Sequence, residues 1–356
     1  MIKKMRYNKL MTIFILTCCS LTIAKSDRLF EDTIIKTYQV ENGGTLTIDS
    51  NLGEIDVKGV KGNQVQIKII RQIKAESQRA ANQILEYLDI DTHQQTQDVV
   101  IYAKYHQPKN QFFKWIDGSH RWPNLRFIIT VPTVYHLDLI TEDGDITISQ
   151  IQGNVYCSTS DGDVLVEDIT GPADIKTSDG NVQIENVNGP VAVKTSDGNI
   201  LLDECSESVD LKTSDGDIRV NWVKGDVIAY TSDGHIAIQE TKGAVTAKTS
   251  DGDIEVNEFG NKIEAITSDG SITAKIKNQP KEDCRLKTSD GSIRVYISDG
   301  INLTINAKSH DGRIKTDFPV KIVGEVDKNR LYTQINSGGP EINLLSSDGS
   351  IHLIKL

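Results

Sequence analysis

Aromatic residues fill only 6% of the 356 positions, and proline occurs 8 times, methionine 3 times and cysteine 5 times. So little proline, with 27 glycines spread among 25% charged residues, fits neither a collagen-like repeat nor a low-complexity disordered chain. The chain should fold. Basic residues are outnumbered, 39 Lys and Arg against 50 Asp and Glu, which argues against nucleic acid as a partner. Beyond the N-terminus no run of 18 apolar residues exists, so no later membrane span is implied.

Residues 1–24 read as a secretory signal peptide. Lys3, Lys4, Arg6 and Lys9 form a basic start, Leu10 to Ile23 is too short and interrupted to span a bilayer, and Thr22-Ile23-Ala24 offers a small-residue cleavage point. An uncleaved anchor is the alternative reading. A lipid anchor on Cys18 or Cys19 fits less well, because no small residue immediately precedes the pair. Removing the segment takes four positive charges and turns the formal −11 into −15. The expected product is an exported protein of the periplasm or cell surface.

What is abundant is one tetrapeptide. Thr-Ser-Asp-Gly ends at Gly162, Gly180, Gly198, Gly216, Gly234, Gly252, Gly270 and Gly291, with relaxed copies at Gly144, Gly312 and Gly349. The spacing is 18 residues six times, then 21, 21 and 37. A second glycine set at Gly153, Gly171, Gly189, Gly225 and Gly243 divides each unit into halves of nine residues. Between these turns β-branched residues alternate, as in Val164, Val166, Ala173 and Ile175, then Val182, Ile184, Val191 and Val193. Such period-two patterning marks short half-buried strands, and helical spacing is absent there.

One 18-residue unit cannot bury its own apolar face, whereas copies stacked about 4.8 Å apart pair every backbone group and share a core. The expected fold is all-β, a parallel β-solenoid (β-helix) of 18-residue rungs, roughly eleven of them in a rod about 50 Å long. An apolar residue every six positions, as a hexapeptide helix needs, is missing. The Asp-Gly pairs predict tight turns in which glycine takes positive φ and Asp and Ser side chains bond nearby amides. Stacking aligns Asp161, Asp179, Asp197, Asp215, Asp233, Asp251 and Asp269 into a carboxylate column. Lys176, Lys194, Lys212 and Lys248, three residues before each Asp, are placed to offset its repulsion. Cys157, Cys205 and Cys284 occupy inward aliphatic columns and lie too far apart for a disulfide.

The solenoid is expected over residues 35–356, interrupted by a small helix-plus-strands insertion at about 72–135. Apolar spacing predicts a helix within Ala75 to Leu88 and strands at Val99 to Tyr105 and Leu125 to Val131. Between those strands lies a basic aromatic loop carrying Phe112, Phe113, Trp115 and Trp122 with Lys109, Lys114, His120 and Arg121. Two readings stand for it: a contact site for a glycan, an envelope surface or a protein partner, or a cap over the solenoid's open end.

The Ser-Asp-Gly-Asp-Ile units, the Gly53-Glu54-Ile55-Asp56-Val57 rung, the short helix and the Val131-Pro132 step resemble the bacterial putative-adhesin family of exported β-solenoid repeat proteins. The resemblance covers about residues 35 to 356. It implies a surface or periplasmic location and a binding role, and it brings no catalytic residues to transfer. A non-enzymatic binding or scaffold module is therefore expected, with no cofactor and no metal. A carbohydrate-active β-helix enzyme would need long loops and paired carboxylates or a basic residue, whereas the turns here are short and the histidines scattered. A calcium-stabilised roll would need carboxylates at both turns of each rung, and Gly171-Pro172 and Gly189-Pro190 supply none.

Overall fold

A computed structural model of the chain describes residues 27–106, 122–319 and 328–356. The signal-peptide reading of residues 1–24 and the loop residues Phe112, Phe113, Trp115 and Arg121 lie outside the described residues. Two 15-stranded sheets face each other. Thirteen strands in each run parallel to their neighbours, so the rod holds thirteen rungs, not eleven, and is about 60 Å long at the strand spacing.

The periodicity dictates this arrangement. Val164, Val182 and Ile200 are Cα partners on successive rungs of one sheet, and Ala173, Val191 and Val209 on the other. Alternate residues of each strand point inward, and an offset of 18 preserves that parity, so the inward columns along the strands stay apolar and a column of buried threonines follows at the Asp-Gly corner. The two inner faces merge into one continuous core. Cys157 pairs with Ile175, Cys205 with Val187 and Cys284 with Ile342, and all three thiols are free and buried.

The ends depart from sequence order. At the N-terminal end the elements are β1 (Arg28–Gln39), β2 (Thr45–Ser50), β3 (Glu54–Val60), β4 (Gln64–Ala75), α1 (Gln78–Leu85), β5 (Leu88–Gln95), β6 (Asp98–Tyr105), β7 (Asn124–Pro132), β8 (His136–Ile140) and β9 (Ile146–Gln152). Strands β6 and β7 pair parallel with β2 and β3, which in turn pair with β8 and β9. The two strands expected in an insertion therefore continue the solenoid walls as its outermost rung. The insertion proper is β4, α1 and β5. Helix α1 is shorter than the apolar spacing suggests. Ser77 caps it by accepting the Ala80 N–H at 3.2 Å, and Ala81 packs against Ile73 and Ala75 of β4.

The C-terminal end repeats the device. Strands Glu341–Ser346 and Ile351–Lys355 pair with the rung at Cys284–Lys287 and Ile293–Ile297 on one side and with Leu303–Ser309 and Ile314–Thr316 on the other. The spatial order of the repeat glycines is thus Gly291, Gly349, Gly312, and the spacing of 37 encloses the antiparallel return strand Arg330–Ile335. Antiparallel strands also cover three sheet edges, β1 against β4, β5 against β6, and Arg330–Ile335 against Leu303–Ser309. They supply partners to edge amides that would otherwise invite another chain.

Candidate functional site

The Asp-Gly edge is built differently from its expected turn chemistry. Gly162, Gly180, Gly198, Gly216, Gly234, Gly252 and Gly270 do not adopt positive φ. Glycine is required there because each Cα sits against the carbonyl of the glycine one rung before, leaving no room for a methyl. The preceding Thr is buried and joins the rungs: Thr213 Oγ1 donates to Gly198 O at 3.0 Å and accepts from Gly216 N–H at 3.3 Å. Asp161, Asp179, Asp197, Asp215, Asp233, Asp251 and Asp269 are all exposed, and none bonds an amide. That task falls to the residue after glycine. Asp163 Oδ1 accepts the Asn181 N–H at 2.7 Å, Asn199 Oδ1 the Asp217 N–H at 2.8 Å, Asp217 Oδ1 the His235 N–H at 2.9 Å, and His235 Nδ1 the Asp253 N–H at 2.9 Å.

The lysine column does not neutralise the aspartate column. On the outward face of the second sheet Lys176 pairs with Asp174 at 3.6 Å, Lys212 with Asp210 at 2.8 Å, and Lys248 with Glu264 at 3.5 Å. Two tyrosines interleave with them: Lys176 lies 4.9 Å from the Tyr156 ring centroid, and Lys212 and Lys248 lie 5.9 Å either side of Tyr230. These lysines find their partners on their own face, whereas the turn aspartates are exposed and pair with none of them.

At the N-terminal end the outer rung carries exposed aromatics. Trp122, 51% exposed, tilts on Tyr105 with ring centroids 5.4 Å apart; Tyr102 and Tyr87 are 45% and 40% exposed. The Tyr105–Trp122 contact pins together the two ends of the basic aromatic segment predicted as a contact site. Burial, and then the neighbouring Tyr87, push the Tyr105 hydroxyl above its ordinary pKa. His93 stacks on Tyr102 and sits 2.9 Å from Asp91, and Lys104 holds Asp49 at 2.6 Å. Strands β1 and β5 pair along β4 and β6 at this end, and the capping reading of the aromatic segment falls on residues outside the described ones.

One functional candidate has no counterpart in the periodic reading. Gln150, Asp168, Asn186, Glu204 and Trp222 occupy one column and share a left-handed backbone, with φ between 53° and 61°. In this column Glu167 pairs with Glu185 and Ile169 with Val187 while Asp168 and Asn186 drop out of the ladder, a bulge that bends each strand toward the next turn. Asn and Asp tolerate that conformation. For a bulky residue such as Trp222 it costs roughly 1–2 kcal/mol. Trp222 is nonetheless 57% exposed and borders a groove of about 510 Å³. The available signal was an aromatic residue in a column otherwise made of Gln, Asp, Asn and Glu.

Chemically reactive groupings are sparse. Among the described residues no three His, Cys, Asp or Glu side chains gather as a metal site, and no helix is long and apolar enough to cross a membrane. Burial raises the Cys157 and Cys205 thiols and pushes Cys284 up to about 11, so each stays protonated and unreactive near neutrality.

No curated protein matches the chain. Solved structures described as a "putative adhesin" include one from Bacteroides fragilis, 14% identical over 91% of this chain and 97% of that one with a TM-score of 0.27. Another, from Parabacteroides merdae, is 11% identical over 90% and 96% with a TM-score of 0.31. A family assignment rests instead on the repeats, since residues 45–258 and 229–354 both match Toastrack DUF4097. The chain belongs to the Toastrack DUF4097 family of repeat proteins.

Proposed function

We propose that the protein is an exported, non-enzymatic binding rod of the bacterial envelope, adhesin-like in role, which engages its partner through the aromatic surface at its N-terminal end. One observation carries the reading. Exposed Trp122 and Tyr87 flank Tyr105 where the segment bearing Phe112, Phe113, Trp115 and Arg121 leaves and re-enters the solenoid, and Tyr102 is exposed on the same strand as Tyr105. Aromatic rings with a basic fringe give large contact area at low conformational cost. The thirteen rungs act as a stiff spacer that carries this end away from the rest of the molecule. The Asp-Gly turns between Gly144 and Gly270 are short and uniform, so no long loops wall a substrate cleft along that edge, which favours binding over catalysis.

Retention of the purified protein on washed envelope particles tests the reading. Tyr102→Ser combined with Trp122→Ser, and separately deletion of residues 108–122, should each reduce retention by about tenfold. Both variants should keep the circular dichroism of the parent. Undiminished retention by both would remove the N-terminal surface from the account, and turnover of a uronate polymer by the intact chain would replace binding with catalysis.

A further inference from the structure

The corner groove beside Trp222 lies midway along the rod, on four consecutive rungs, far in sequence from the N-terminal aromatics. Its floor includes Val187, Cys205 and Val223. Trp222 stands in its wall in a backbone conformation that a smaller polar residue adopts at less cost. Retained strain of this kind marks positions where the side chain is wanted for something other than folding. A volume of about 510 Å³ falls within the range of small-ligand sites.

The lining specifies what would fit. Glu204 and Glu240 are matched in number by Lys224 and Lys242, so the lining carries no net formal charge and favours neither polyanions nor polycations. Neutral polar groups add donors and acceptors in mixed array. Ser206 Oγ donates to Asn188 Oδ1 at 2.6 Å, leaving the Asn188 amide nitrogen as a donor, and Asn186 Nδ2 donates to Asp168 at 2.7 Å, leaving the Asn186 carbonyl oxygen as an acceptor. A flat indole face beside amides, a hydroxyl and balanced charges matches a ligand with one apolar face and a rim of hydroxyls. Lipid chains have no use for the rim.

We infer that this groove is a binding subsite for an uncharged glycan, a short stretch of pyranose rings lying along the corner with one ring stacked on Trp222. The four rungs extend about 14 Å at the strand spacing, room for more than one sugar ring in register with the repeat. The site is independent of the N-terminal surface and would persist if that surface bound nothing.

Calorimetric titration of the full chain with cellotetraose, chitotetraose and tetragalacturonate tests it. At least one of the two neutral tetrasaccharides should bind in preference to the acidic one. Trp222→Asn should weaken that binding by about tenfold or more without lowering the melting midpoint, because Asn accepts the left-handed backbone. Trp222→Tyr should retain affinity within about threefold, and Trp122→Ser should leave it unchanged. Failure of both neutral sugars to bind, preference for the acidic one, or unaltered binding by Trp222→Asn would each overturn the inference. Loss of binding in Trp122→Ser alone would assign the sugar to the N-terminal end instead.

Discussion

Replacing Gly216 by Ala puts the steric basis of the repeat to a direct trial. A methyl at this position would run into the Gly198 carbonyl oxygen and lie 2.5 Å from its carbon, where ordinary contact begins at 3.4 Å, so the two rungs would have to part by more than about 0.9 Å. Three donors bridge the rungs at that corner: Ser214 N–H to Ser196 O at 2.9 Å, Asp215 N–H to Ser196 O at 3.0 Å, and Thr213 Oγ1, shared between Ser196 O and Gly198 O at 3.0 Å each. At about 0.5–1.5 kcal/mol each their loss amounts to roughly 2–4 kcal/mol. Because a stacked array is stable rung against rung, the damage should be local and could divide the rod into two halves that unfold separately. The matched control is Asp215→Ala. Its carboxylate is exposed, bonds no amide, and sits one rung from Asp197 and Asp233, each repelling it by about 1 kcal/mol before salt screening. Asp215→Ala should therefore be neutral or slightly stabilising. Denaturant titration followed by circular dichroism reads both. A Gly216→Ala curve superimposable on the parent, together with a clear loss in Asp215→Ala, would refute the close-approach argument and restore the aspartate as the turn's structural element.

Three other outcomes follow from the same geometry. Thr213→Val keeps the shape but orphans the buried Gly198 carbonyl and the Gly216 amide, so it should cost about 1–3 kcal/mol by denaturant midpoint, while Thr213→Ser should cost less. Asp217→Ala removes the acceptor of the His235 amide and should lose about 0.5–1.5 kcal/mol; Asp217→Asn should recover it, since Asn181 and Asn199 already serve this role. Cys284 holds its proton in the folded state up to about 11, whereas an unfolded thiol releases it near 9.0. The native state then binds more protons than the unfolded state between these values, so stability is full below pH 9 and falls as pH rises toward 11, by up to roughly 3 kcal/mol. Cys284→Ala should flatten its share of that slope, and all three thiols should resist alkylation at pH 8 until the chain is denatured.

Most of the rod could be read from the repeat because an 18-residue period and alternating aliphatics are local properties that survive translation along the chain. Val164, Val182 and Ile200 had to share a column whatever the loops did. The inward places of Cys157, Cys205 and Cys284 followed from the same counting. The turn glycines were identified correctly but for a different reason, since φ is set by the turn while the forbidden methyl is set by a carbonyl 18 residues away. Likewise, spacing put lysine three residues before Asp179, Asp197, Asp215 and Asp251, but the lysines belong to the strands and the aspartates to the turns, and Lys212 finds Asp210 instead.

Sequence by itself determined the stacked architecture, the aliphatic columns and the places of the buried thiols, because each depends on parity within one unit and on its exact repetition. Only the tertiary structure decided the order of the end rungs, with Gly349 seated between Gly291 and Gly312, because a parallel edge accepts any strand of the right pattern and the antiparallel returns choose which one arrives. It alone also set Trp222 beside a groove, since a concavity between columns arises from neighbours 18 and 36 residues apart and is invisible to any window of a single rung.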